Sequence, residues 1–315
     1  MSALKLFAFD YASDDCTLPE SLRHQGRMML RALLADLVEL PGVELITIGA
    51  AGPFRRRFDA CVQAADAVWP LAPEAGGLLE RLSRQVLRSE RILLGSKPDA
   101  LRVAGSKLRT SRALARAGVA VAATYSPGQP LPPSIGAWVV KPDDGAGCLD
   151  TRIFSGAEAA LAWIAASGAT GYVLQPFIPG KLGSLSLLCC EGAAQLLGCN
   201  EQRVAVRDNQ FYFLGTTVNS MLDADGEFER LAQAVAAAIP GLWGHVGIDF
   251  VMAERGPVVL EVNARMTASY AGLHASIGCN PAALVLDLLE QPAGAPRTRA
   301  KPVAVSVDVA AFGSA

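Results

Sequence analysis

Apolar positions along the chain switch repeatedly between the alternation expected of strands and the three-to-four spacing expected of helices. Residues 4–9 read as a first strand, and residues 21–40 as a helix with Met28, Met29, Leu33, Leu37 and Leu40 on one stripe. A second strand over 43–49 follows, then a third over 64–71 carrying Val68 and Trp69, a helix over 77–88 and a short strand at 91–94. Strands and helices in turn favour a parallel sheet with helical crossovers. Gly95-Ser96-Lys97-Pro98 marks the first boundary.

Beyond it the pattern changes. Ser106 is a good N-cap for a helix over 107–117, with Gly118 placed to end it. A buried-looking strand over 137–141 runs into Pro142-Asp143-Asp144-Gly145-Ala146-Gly147-Cys148, a Gly-rich loop. The strand over 172–175 meets Pro176-Phe177-Ile178-Pro179-Gly180, where two prolines oppose helix or central ladder pairing and set the second boundary. Strands over 185–190, 194–201 and 210–214, a helix over 227–238 and a last helix over 280–289 complete the series. The expected domains are therefore 1–96, 97–175 and 176–315.

The most informative stretch runs from Gly247 to Arg265. Its alternation predicts two strands joined at Glu254-Arg255-Gly256, and a three-residue loop ending in a left-handed Gly would set Asp249 directly opposite Glu261. Glu261, Asn263 and Arg265 would then share one face. A solvated hairpin edge is the ordinary reading of such charges. Here Val246, Ile248, Val259, Leu260 and Val262 argue for burial, where facing carboxylates repel unless a cation lies between them. Oxygen-only donors suit Mg2+, with Mn2+ as a substitute, and Mg2+ commonly takes further ligands from substrate phosphates. That implies a bound nucleotide.

Composition narrows the field. A chain of 315 residues, 51% hydrophobic, has ample core for two or three domains, and 30 Gly with 19 Pro fall short of a disordered composition. A net charge of -2 without a Lys/Arg cluster argues against nucleic acid. Seven cysteines, with no CxxC spacing and no secretory leader, point to a reducing cytoplasm. No apolar run reaches the roughly 18 residues of a membrane span. No GxGxxG follows the first strand, so a dinucleotide site is not expected. His24, His245 and His274 lack metal-ligand spacing, and Cys189-Cys190 reads as core.

Lys141 ends an apolar strand, where an ammonium needs a partner or a polar cavity. Lys107 sits at a helix start, where free N–H groups add to its attraction for phosphate. Gly145 and Gly147 would let backbone N–H groups approach phosphate oxygens. Each signal alone has an ordinary reading as a snorkelling lysine, a surface lysine or a turn.

In order along the chain, Ser106-Lys107, Val-Val-Lys141-Pro-Asp-Asp-Gly145-Ala-Gly147, Gln175-Pro176-Phe177-Ile178 and Asp249, Glu261, Asn263, Arg265 resemble the ATP-grasp superfamily of carboxylate–amine ligases. The resemblance implies a mixed α/β and α+β fold: a Rossmann-like parallel-sheet domain, a small central α+β domain and a mostly antiparallel α+β C-terminal domain. It implies ATP phosphates on Lys107 and Lys141, the Gly145–Gly147 loop closing over them, and adenine at Gln175, Pro176, Phe177 and Ile178. Mg2+ would sit on Asp249, Glu261 and Asn263, with Arg265 and Lys141 catalytic. The reaction implied is phosphorylation of a carboxylate followed by amine attack on the acylphosphate.

Three departures stand out. Pro176 replaces an acidic hinge residue, Lys181-Leu182-Gly183-Ser184 offers no acid for ribose, and Ser106 stands where an Asp would orient Lys107. Further stretches, including Trp69-Pro-Leu-Ala-Pro-Glu74, Cys199-Asn200-Glu-Gln202 and Asn263-Ala-Arg265-Met-Thr-Ala-Ser269-Tyr270, resemble the tyramine–glutamate ligase branch used in making methanofuran-like cofactors. That branch implies glutamate and tyramine, or a related aromatic amine such as tyrosine, as small-molecule partners, with Glu74, Asn200, Gln202, Ser269 and Tyr270 as substrate contacts. A homodimer is left open. The alternatives are a ligase of other amino acids or peptides and a non-catalytic nucleotide-binding regulator.

Overall fold

The structure is a computed structural model that describes residues 3–133, 136–168, 170–290 and 302–309; the extreme ends of the first and last expected domains lie outside the described residues. The chain begins with β1 (Leu4–Asp10), α1 (Tyr11–Asp14), α2 (Glu20–Val38), β2 (Val43–Ile46), α3 (Phe54–Ala64), β3 (Ala67–Leu71), α4 (Leu78–Arg88) and β4 (Ile92–Leu93). These strands form a parallel sheet in the order β2-β1-β3-β4, with α2, α3 and α4 as the crossovers. All five residues of β3 are buried, as expected of a strand covered on both faces.

The third strand starts at Ala67 rather than 64, because residues 54–64 form α3, a helix the sequence pattern did not predict. Arg55, Arg56 and Arg57 dilute its stripe, yet Phe58 and Val62 are buried, and Phe58 packs against Phe7 and Phe9 of β1. Phe54 of the same helix packs there too, against Phe9 and Phe58.

Next come α5 (Pro98–Ala104), α6 (Lys107–Arg116), β5 (Trp138–Pro142), β6 (Arg152–Phe154), α7 (Ala157–Ser167) and β7 (Tyr172–Pro176). The remainder comprises β8 (Lys181–Cys190), β9 (Ala193–Arg207), β10 (Gln210–Val218), α8 (Glu227–Ala238), β11 (Gly244–Ala253), β12 (Gly256–Asn263), α9 (Tyr270–Ile277), α10 (Pro281–Glu290) and β13 (Val305–Asp308). These strands make an antiparallel sheet in the order β12-β11-β8-β9-β10-β6-β5-β7, with β13 also on β10. The β6-β5-β7 wing joins the rest through one pair, Gln210 with Arg152. Prolines 142 and 176 fall at strand ends in this wing, where a missing N–H costs least.

The hairpin differs from the expected one in a way that preserves its outcome. Ala253 pairs with Gly256, so Glu254 and Arg255 alone form the turn, and the register from Phe250–Val259 to Ala253–Gly256 is one residue off the expected pairing. A bulge at Leu260 inserts the missing residue, and Asp249 again faces Glu261. The strand ends at Asn263, so Arg265 lies past it, not on its ladder.

The two sheets are held together in part by α2 packing on α9. Buried Asp36 accepts from Tyr270 Oη at 2.7 Å and pairs with His274 Nδ1 at 2.6 Å. No single helix among the described residues is long and apolar enough to cross a membrane. All seven cysteines are free.

Candidate active site

Asp249 and Glu261, at mid-hairpin, form the polar centre. Gln202 Nε2 donates to Asp249 Oδ1 at 2.7 Å, and Asn263 Nδ2 donates to Asp249 Oδ2 at 3.2 Å. Lys107 Nζ lies 3.0 Å from Glu261 Oε2 and 2.8 Å from the Gly145 carbonyl. Lys141 is buried, and no described side chain or carbonyl hydrogen-bonds its ammonium.

The electrostatics follow from this geometry. Burial, then the neighbouring Glu261 charge, raises the Asp249 pKa well above the usual carboxylate range. Burial also opposes ionisation of Glu261, but Lys107 and Lys141 outweigh it and hold that carboxyl low. Burial lowers the Lys141 pKa, Lys107 adds to the effect and Glu261 opposes it. Without a cation the pair therefore keeps one proton. Two facing carboxylates and an adjacent amide are a donor set that fits a hard divalent cation, which would replace that proton.

Two cavities meet at the pair. One is bordered by Lys107, Lys141, Gly145 and the segment Gln175, Pro176, Phe177 and Ile178; Phe177 is partly exposed in its mouth. The other is bordered by Asp10, Gly26, Gly147, Arg265 and Ser269. Asp249, Glu261 and Gln202 line both. A phosphate donor in the first cavity and a carboxylate in the second would thus approach a cation from opposite sides.

Arg265 guards the second cavity. Its Nη2 donates to Glu74 Oε2 at 2.8 Å, and its Nη1 donates to the Met266 carbonyl at 3.1 Å. Glu74 reaches it from the parallel-sheet domain, between β3 and α4, so the pair crosses between the two sheets. Arg265 Nε and Glu74 Oε1 are buried without partners.

Several expected contacts are corrected by the geometry. Asn200 is fully buried away from both cavities: its Nδ2 donates to Ser184 Oγ and Ser186 Oγ, and its Oδ1 accepts from the Asn219 N–H. Tyr270 spends its hydroxyl on Asp36 and packs edge-on against His245. Both hold the scaffold. Glu74 pairs with Arg265, while Ser269 and Gln202 line the second cavity. Gly147, at φ +64°, borders that cavity too and not the first. A Cβ there would come within 3.2 Å of Leu22 in α2, so the glycine lets the loop lie against that helix.

The sequence reading overlooked Asp143. Its Oδ2 accepts from Ser106 Oγ at 2.6 Å, its Oδ1 from the Leu108 N–H at 2.9 Å, and its carbonyl from the Lys107 N–H at 3.0 Å. The carboxylate missing beside Lys107 in sequence is thus supplied across space. Its position two residues after Lys141, before Gly145, was the available signal.

Comparison with known proteins agrees with this architecture. Residues 104–269 match the ATP-grasp domain family, and residues 28–101 match the pre ATP-grasp 3 domain. The chain belongs to the ATP-grasp family and is an ATP-dependent carboxylate–amine ligase. It is 23% identical to the tyramine–L-glutamate ligase of Methanocaldococcus jannaschii over 285 residues, covering 84% of this chain and 83% of that protein. Among solved structures, an ATP-grasp superfamily protein from Archaeoglobus fulgidus superimposes with a TM-score of 0.73 at 23% identity, covering 97% of this chain and 99% of that one. An L-amino acid ligase from Bacillus licheniformis gives 0.64 at 17% identity, covering 92% and 75%. These structural matches share the fold.

Proposed function

We propose that this ligase joins glutamate to tyramine, or to a related aromatic amine such as tyrosine, through an acylphosphate, in the making of a methanofuran-type cofactor. The observation that carries the reading is the Asp249–Glu261 pair at the junction of two cavities, with Lys107 and Lys141 on one side and Arg265 on the other. The similarity to a tyramine–L-glutamate ligase along most of both chains supports the choice of substrates.

ATP lies in the cavity bordered by Gln175–Ile178, with its phosphates toward Lys107 and Lys141. Asp249, Glu261 and Asn263 would hold Mg2+, which would supply neutralisation of the charge on the phosphates. Lys141 has no acceptor to surrender among the described residues, so its ammonium is available to the transferring phosphoryl oxygens. Lys107 exchanges the Gly145 carbonyl for a phosphate oxygen. Arg265, fixed by Glu74, orients the acceptor carboxylate and stabilises the oxyanion formed when the amine attacks. The amine displaces phosphate, so no covalent enzyme intermediate is involved.

The test is ADP release from ATP and Mg2+ with glutamate and a panel of amines. Release that requires both glutamate and an aromatic amine supports the assignment. Release with unrelated pairs alone keeps the ligase class and removes the substrates; nucleotide binding without release under any pair removes both.

A further inference from the structure

Asp10 ends β1 at the floor of the substrate-side cavity and is only 5% exposed. Ser13 donates both its N–H, at 2.6 Å, and its hydroxyl, at 2.6 Å, to Oδ2. No Lys, Arg or His among the described residues forms an ion pair with it, because the one cation of this cavity wall, Arg265, is already taken by Glu74. Burial raises its pKa, and the Ser13 bonds, which also cap α1, oppose that more than the Arg265 charge does, so the carboxylate sits buried with no cation bonded to it, a costly arrangement.

A second observation bears on the same atom. Gly26 lies inside α2, where glycine weakens a helix, and a Cβ at that position would stand 2.1 Å from Asp10 Oδ2. The helix thus keeps a glycine where any side chain would push the carboxylate out of place. The chain gives up helix stability to keep an unpaired acid in the cavity.

We propose that Asp10 binds the ammonium group of the carboxylic acid substrate, so that the site accepts amino acids and rejects the corresponding acids lacking the amine. This rests on the ligase reading and adds a specificity determinant to it. The substrate enters as a zwitterion or amino diacid, its reacting carboxylate toward Arg265 and the Asp249–Glu261 pair, its ammonium toward Asp10. The ion pair formed gives Asp10 a directly bonded cation, which Arg265, held by Glu74, does not supply.

The experiment compares ADP release, with tyramine as amine, for glutamate against glutarate, aspartate against succinate and alanine against propionate. The wild type is expected to favour the amino member of any pair it uses by about 100-fold in kcat/KM, because a buried group left unpaired penalises the analogue. Asp10→Asn keeps the Ser13 bonds and is expected to collapse that ratio to a few-fold with KM for ATP unchanged. Gly26→Ala, which displaces the carboxylate without altering its charge, should erode the same ratio. Use of glutarate as readily as glutamate by the wild type overturns the proposal without any variant, and so does an undiminished ratio in Asp10→Asn. Both leave the ligase standing, whereas no ADP with any acid and any amine of the panel removes the ligase reading as well.

Discussion

Asp143 Oδ2 lies 2.6 Å from Ser106 Oγ, joining the Gly-rich segment to the N-terminus of the helix that starts at Lys107. A carboxylate at that end is favoured by the free N–H groups and the helix dipole. The next residue, Asp144, accepts from the Gly76 N–H at 2.7 Å, so the two neighbours tie the loop to α6 and to the segment following Glu74. Asp143→Ala should therefore lower stability by about 1–2 kcal/mol and raise KM for ATP by about tenfold, with a smaller effect on KM for the acid. Ser106→Asp in the native background should also impair the enzyme, because it faces Asp143, and Asp143→Asn should restore it. Chemical denaturation and steady-state kinetics on these variants read both effects.

The two central carboxylates should respond differently to neutralisation. Asp249 keeps its proton in the metal-free site, so Asp249→Asn should change metal-free stability by no more than about 1 kcal/mol while lowering ADP release by at least about 100-fold. Glu261 is ionised against Lys107, so Glu261→Gln leaves the lysines uncompensated and should cost about 3 kcal/mol as well as activity. Thermal unfolding without Mg2+ separates the pair; equal destabilisation would contradict the assigned charges.

Cation binding should release a proton. Asp249, raised by burial and by Glu261, must lose its proton to ligate, so Mg2+–nucleotide affinity should rise with pH across the neutral range. Calorimetry in two buffers of different ionisation enthalpy measures the release directly. Asp249→Asn should abolish it.

How much of this was legible in the sequence depends on the range of the interactions. The Asp249–Glu261 facing followed from alternation and a turn signal, but the route to it did not: the turn is one residue shorter and Leu260 bulges to compensate. β11 pairs with β8 in unbroken register and the extra residue lies on β12, a placement that no local pattern encodes. The Ser106 cap and the helix it starts were readable because capping is local. Asn200 and Tyr270 were misassigned because a polar residue near a motif looks alike whether it faces a cavity or a buried partner. Asp36, which occupies Tyr270, lies 234 residues away. The approach of Asp10 to Gly26 was hidden for the same reason, since it exists only once α2 folds back over β1.

His245 gives the scaffold a defined acid sensitivity. Burial, only partly offset by the bond to the Pro281 carbonyl, lowers its pKa from 6.5 to about 4. The unfolded chain takes up a proton near pH 6.5 and the folded chain does not until about 4, so this contribution is intact above 6.5 and is lost as pH falls through that window. The loss amounts to roughly 3 kcal/mol. His245→Gln should flatten that part of the stability–pH curve even though it lowers stability overall. A curve of unchanged slope would show that the ring is protonated in the folded state.

The central claim is that the Asp249–Glu261 junction passes a phosphoryl group from nucleotide to a substrate carboxylate. The most direct test follows oxygen. The acid that supports ADP release is labelled with 18O in its carboxylates, turned over with ATP, Mg2+ and the amine, and the released phosphate is analysed by mass spectrometry. Transfer through an acylphosphate predicts one 18O atom in each phosphate released; unlabelled phosphate alongside amide product would contradict it.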